Sequence, residues 1–150
     1  VTERTHRFGD PLEIAWWLAL LSPLVVPWVV VRTSGTTLVF AWGMATLEGG
    51  QMTTLPAYLG ATAGLPTYLQ LWPIGVFCYL AAVGWAVGER YGTDQRVTVG
   101  LLTLAAISAA WMASGLGVEP NRTALPLGTV LFAGLAAWAY FWRQSTRHEP

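Results

Sequence analysis

Four apolar runs with almost no charge inside them constrain this chain more than any other feature. They cover residues 12–31, 66–88, 97–118 and 125–142. A helix rises about 1.5 Å per residue and a bilayer's hydrocarbon core is about 30 Å thick, so roughly twenty such residues make one crossing. Composition points the same way: 54% of the residues are hydrophobic and 11% charged, against about 25% charged in an ordinary soluble domain. The expected fold class is all-α. It is an integral membrane four-helix bundle, a single membrane domain over 1–150, with a short non-spanning outer helical segment between the first and second crossings.

The links ERYGTDQR (89–96) and VEPNRTALP (118–126) are short, which places the second, third and fourth crossings antiparallel and adjacent. Arg4 and Arg7 precede the first run and no small-residue cleavage site follows it, so it reads as a retained anchor rather than a signal peptide. Pro23 and Pro27 each remove a backbone donor and predict a bend in its outer half. Arg4, Arg7, Arg90, Arg96, Arg143 and Arg147 fall on one side, Arg32 and Arg122 on the other. The positive-inside rule then gives a multi-pass cell-membrane protein with both termini cytoplasmic. Trp16, Trp17, Trp28, Trp72, Tyr91, Tyr140 and Trp142, near the run ends, fit an interfacial aromatic belt.

Small residues predict the packing, because lipid supplies no hydrophobic drive and close backbone approach must substitute for it. Ala105, Ala109, Ala113 and Gly117 recur at i, i+4 with Ala106, Ala110 and Ser114 beside them, making the third crossing the hub. Gly84 and Gly88 form a GxxxG in the second, read as packing within the chain.

The outer connection, 33–65, contains LVFAWGMATL at 38–47. As a helix this would reach only about 15 Å, half a crossing, so it is expected to cap the outer ends of the bundle. The phrase LPxYL occurs twice, with Pro56 and Pro66 ten residues apart. Proline suits the first turn of a helix, where its missing donor would have no partner. Each copy therefore reads as a helix start, the first capped by Thr53 or Thr54, and Pro73 predicts a bend just inside the second crossing.

The chemical inventory is short. Eight arginines balance eight acidic residues, which disfavours nucleic acid as a partner. His6 and His148 lie in the two tails, and Cys78 sits between Phe77 and Tyr79 with no basic neighbour in sequence, an environment that keeps a thiol inert. No acidic residue lies deep within any run, Glu13 and Glu89 being at ends, which disfavours transport by this chain alone. No catalytic residue, cofactor or metal site is assigned. Trp42, Glu48, Tyr58 and Tyr68 are the candidates for an outer-face interaction site, with Arg32 or Arg122 available to pair with Glu48. Asn121-Arg122-Thr123 is a glycosylation sequon on the expected outer face.

The phrases TLVFAWG (37–43), TTLPAYL (53–59), GLPTYLQLWPIGVFCYLAA (64–82) and RVTVGLLTLAAISA (96–109) resemble a family of small haloarchaeal multi-pass membrane proteins whose genes lie near archaeosortase A. The resemblance runs from the first crossing to the fourth and is carried by hydrophobic phrases, so it implies a location and not a reaction. Arginine without lysine is compatible with a halophilic source. An archaeosortase itself relies on a cysteine with basic partners, which Cys78 lacks in sequence. The resulting expectation is a non-enzymatic membrane protein of the archaeal cell envelope, accessory to surface-protein processing or anchoring. Its partners would be the lipid bilayer and another membrane protein such as an archaeosortase. A subunit of a membrane transporter is the alternative, and a small membrane enzyme the third reading.

Overall fold

The computed structural model describes residues 10–61, 64 and 66–147. Arg4, His6, Arg7, Leu65 and His148, all used above, lie outside the described residues. Among the described residues the fold is mixed α/β, with five α-helices and one five-stranded antiparallel sheet. This overturns the expected all-α four-helix bundle.

Helix α1 (Pro11–Leu21) starts where the Asp10 carboxylate accepts the Leu12 N–H at 3.1 Å, with Pro11 in the first turn. A bent helix was expected to continue to residue 31. Instead α1 stops at Leu21, a 3-10 turn covers Ser22–Leu24, and the chain becomes strand β1 (Val29–Arg32). Two prolines within five residues remove the donors that would continue the helix, and Val29-Val30-Val31 is a β-branched run suited to extended backbone.

Strands β2 (Thr36–Val39), β3 (Gly43–Thr46) and β4 (Gln51–Thr54) follow β1 as a meander, and β5 (Thr123–Leu125) pairs with the other edge of β1. The order is β4-β3-β2-β1-β5. The register aligns Val29 with Val39, Thr37 with Thr46, Gly43 with Thr54 and Val31 with Ala124. The decapeptide 38–47, expected as a short helix, spans β2, a turn and β3. A short apolar run does not distinguish strand from helix by hydrophobicity, and turn residues decide it: Ser34-Gly35 before, Gly43 within, Gly49-Gly50 after. Gly50 takes φ +59, which a side chain rarely adopts.

Helices α2 (Leu55–Ala61) and α3 (Thr67–Gly88) begin at the two prolines, as the repeat predicts. Pro56 lies in the first turn of α2, whose Ala57 N–H reaches the Thr54 hydroxyl at 3.4 Å, and Pro66 immediately precedes α3. Pro73 lies inside α3 without ending it. Helix α4 (Gln95–Leu116) is capped by Asp94, whose carboxylate accepts the Arg96 N–H at 3.0 Å, and α5 (Leu127–Arg147) completes the chain.

Helix α4 packs against both α3 and α5, with Ala105 and Ala109 fully buried and Ala106 and Ala113 nearly so. The small-residue stripe does make it the hub. The GxxxG of α3 behaves otherwise: a side chain at Gly84 would meet nothing within 4 Å. The tight approaches are elsewhere, where a Cβ on Gly75 would collide with Ser108 and one on Gly115 with Tyr68.

Helices α3 and α4 are each 22 residues with mean hydropathy 1.6 and 1.7, long and apolar enough to cross a membrane. The second half of α5 meets the middle of α1 through an edge-on Trp16–Trp138 contact at 5.7 Å, and the start of α4 through Gln95, which donates to the Ala139 carbonyl at 2.8 Å. That end of the molecule carries the α3–α4 link; the sheet and α2 occupy the other.

Candidate functional site

The sheet meets the helices at Trp28, which is 0% exposed. Its ring meets Phe132 of α5 edge-on at 4.8 Å and Tyr79 of α3 at 6.0 Å. Its N–H is donated to the Val39 carbonyl at 2.6 Å, and its own carbonyl accepts the Gly128 N–H at 2.7 Å. Trp28 was expected in an interfacial belt, as was Trp72. Both are interior instead, with Trp72 1% exposed and its indole N–H donated to the Phe40 carbonyl at 3.0 Å.

The early end of α1 explains these positions. The last carbonyls of a helix have no intrahelical donor, and one left bare in an apolar interior is costly. Here side chains supply the donors. Tyr79 donates its hydroxyl to the Leu20 carbonyl at 2.8 Å, Trp28 its indole N–H to Pro23 at 2.9 Å, and Trp42 its indole N–H to Leu24 at 3.0 Å. The Ser22 carbonyl takes the N–H groups of Val25 and Val26, and the Ser22 hydroxyl donates to Ala19. Tyr79, Trp28 and Trp42 thus close a broken helix end, a role a single sequence does not reveal because their partners lie up to 59 positions away.

The four candidate residues do not form one site. Trp42 stacks on Phe40 with ring centres 5.0 Å apart, and Tyr58 of α2 packs on Trp72 at 5.9 Å. These two therefore belong to one aromatic cluster, linked through Trp72 and the Phe40 backbone. Tyr68, in the first turn of α3, faces α4 at Gly115. Glu48 lies at the β3–β4 turn, where both carboxylate oxygens accept the Thr36 N–H at 2.8 Å. The expected pairing of Glu48 with Arg32 or Arg122 is replaced by this backbone contact, which continues the β2–β3 ladder one step beyond its last paired residues. Arg122 pairs instead with Glu119 at 3.0 Å.

Two concavities among the described residues bear on the site. Near the sheet, a cleft of about 470 Å³ opens between the end of α4 and β5, lined by Ala110, Ala113, Ser114, Gly117, Arg122, Thr123, Ala124 and Pro126. At the opposite end a smaller one of about 160 Å³ is bounded by Glu13, Trp16, Glu89, Gln95, Ala139 and Trp142. In the second, Glu89 accepts the hydroxyl of buried Thr98 at 2.7 Å. The first holds the Arg122 guanidinium, ion-paired with Glu119, beside small, uncharged walls. Among the described residues no three His, Cys, Asp or Glu side chains converge to hold a metal ion.

No curated protein matches the chain. A family model described as "Domain of unknown function (DUF8050)" matches residues 1–149, and the chain belongs to that family.

Proposed function

We propose that this chain is a non-enzymatic, multi-pass protein of the archaeal cell membrane that holds a small β-sheet on the outer surface as a docking platform for a membrane partner. The observation that carries this reading is the apolar exposed surface of the helices. Ile14, Leu18, Leu21 and Val25 line one side of the first segment, Ile74, Phe77 and Leu80 lie outward on α3, and Leu104, Ile107 and Trp111 on α4. Phe77 is 72% exposed and Val130 of α5 73%. A soluble monomer rarely exposes a contiguous apolar patch beyond a few hundred Å²; lipid would cover this one.

The first segment is compatible with a crossing despite its short helix. Helix α1 and the 3-10 turn reach about 22 Å, and the chain continues to Trp28 in non-helical form. Such backbone is tolerated at membrane depth only where protein covers it and satisfies its polar groups, which the donors from Tyr79, Trp28 and Trp42 provide. Ser108 and Thr98 are likewise committed to the Leu71 carbonyl and Glu89, a use of interior polar groups that supports a structural rather than a chemical role.

The resemblance to haloarchaeal proteins encoded near archaeosortase A favours a partner that handles surface proteins. Deleting the gene in its native host should change the migration or lipid attachment of a surface glycoprotein, and an archaeosortase should co-purify with the tagged chain. Unchanged processing together with no co-purification would sink the accessory role.

A further inference from the structure

We infer that the cleft between α4 and β5 is a binding site for an anionic phospholipid, with the headgroup phosphate on Arg122 and the start of a hydrocarbon chain on the small-residue face of α4; this rests on the membrane reading above. The space, about 470 Å³, is an open surface groove rather than an enclosed cavity. The floor is Ala110, Ala113, Ser114 and Gly117, and the facing wall includes Thr123 and Pro126.

Arg122 supplies the charge. Its side chain is only 26% exposed; one terminal nitrogen meets Glu119, and its buried Nε–H has no hydrogen-bond partner among the described residues. That Nε has no exposed surface and so does not meet the cleft; the part of the side chain a ligand can reach is the planar guanidinium fork, whose geometry matches phosphate. Glu119 is 65% exposed, so its ion pair is weak and an incoming phosphate can share or displace it. Pro120 and β5, which is pinned to β1 with Arg32 opposite Thr123, hold this short loop in place.

Below the guanidinium, the Ser114 hydroxyl is turned back onto the Trp111 carbonyl at 2.7 Å, leaving an uncharged surface. That surface continues into the exposed Trp111 and Ile107. A free phosphate would use the guanidinium alone; a phospholipid uses both the guanidinium and the apolar floor.

The test reconstitutes the full chain in nanodiscs of equal phosphatidylcholine and phosphatidylglycerol, releases it in mild detergent, and counts retained lipids by native mass spectrometry. Wild type is expected to retain phosphatidylglycerol over phosphatidylcholine by about tenfold, a difference within reach of one charge-assisted contact. Arg122→Gln should abolish the preference. Gly117→Leu, whose added Cβ meets only ordinary contacts at 3.4 Å and beyond, fills the groove and should lower lipid retention without touching the charge.

Equal retention by wild type and Arg122→Gln overturns the inference. So does thermal stabilisation of wild type by inorganic phosphate without any lipid preference, which identifies a free anion as the occupant. A dimer that dissociates on Gly117→Leu overturns it in favour of a second copy. Failure of the chain to enter nanodiscs contradicts the membrane reading itself, and is distinguished from the other outcomes because incorporation is read before lipids are counted.

Discussion

The hydroxyl of Tyr79, in the middle of α3, donates to the backbone carbonyl of Leu20 at 2.8 Å. The contact closes the end of α1, and it is made by a side chain that is 0% exposed. Tyr79→Phe keeps the ring and removes the donor. It is expected to cost about 1–3 kcal/mol, the range for leaving a buried polar group without its partner. Thermal unfolding in detergent checks this, and an unchanged midpoint would show that the carbonyl finds another donor.

The glycines separate the observed packing from the packing expected of the sequence motif. A Cβ at Gly128 would stand 2.9 Å from the Cα of Trp28, whereas one at Gly84 has open space. Gly128→Ala is therefore expected to destabilise by about 1–3 kcal/mol through overpacking. Gly84→Ala should be neutral or stabilising by up to about 1 kcal/mol, since alanine is the better helix former. Parallel melting curves test both, and a larger loss at Gly84 would restore the GxxxG as a contact.

What the sequence made legible follows from the kind of pattern each element carries. The runs 66–88, 97–118 and 125–142 correspond to Thr67–Gly88, Gln95–Leu116 and Leu127–Arg147, because long apolar runs bounded by Pro66, Asp94 and Pro126 permit little else. The sheet is hidden because Val29–Val31 continues an apolar run long enough for a helix, and because Ser34-Gly35 and Gly49-Gly50, the turns between the strands, fall inside the 33–65 stretch expected as an outer connection with a short helix. The β-branched cluster was the available signal. The interior place of Trp28, expected in the aromatic belt, is hidden for a different reason: Val39, Tyr79, Gly128 and Phe132 surround it, and only the assembled fold brings them together. The same holds for Glu48, whose partner Thr36 is twelve residues back and comes within reach once β2 and β3 pair.

Glu48 offers a test of that hairpin. Its two oxygens accept the Thr36 N–H at the exposed end of the β2–β3 ladder, so Glu48→Ala is expected to cost about 0.5–1.5 kcal/mol. Glu48→Gln, which keeps one acceptor oxygen, should cost less. Hydrogen exchange at Thr36 reads the effect directly, with faster exchange in the alanine variant expected and equal rates counting against the contact.

Trp28→Ala removes the largest ring from the joint between sheet and helices and is expected to cost about 3–5 kcal/mol, as for other buried aromatic truncations. Limited proteolysis within 33–54 should accelerate in parallel with the loss of stability. Accelerated cleavage without a fall in melting temperature would mean that the sheet is held independently of the helices.

The central claim, that the helices cross a membrane with the sheet outside, is tested most directly by cysteine accessibility in intact cells. In a Cys78→Ala background, Met52→Cys places a thiol on β4 and Tyr91→Cys places one in the α3–α4 link, at positions 67% and 88% exposed. A membrane-impermeant maleimide should label position 52 in intact cells and position 91 only after lysis. Labelling of both positions only after lysis, or of position 91 alone in intact cells, would contradict the account.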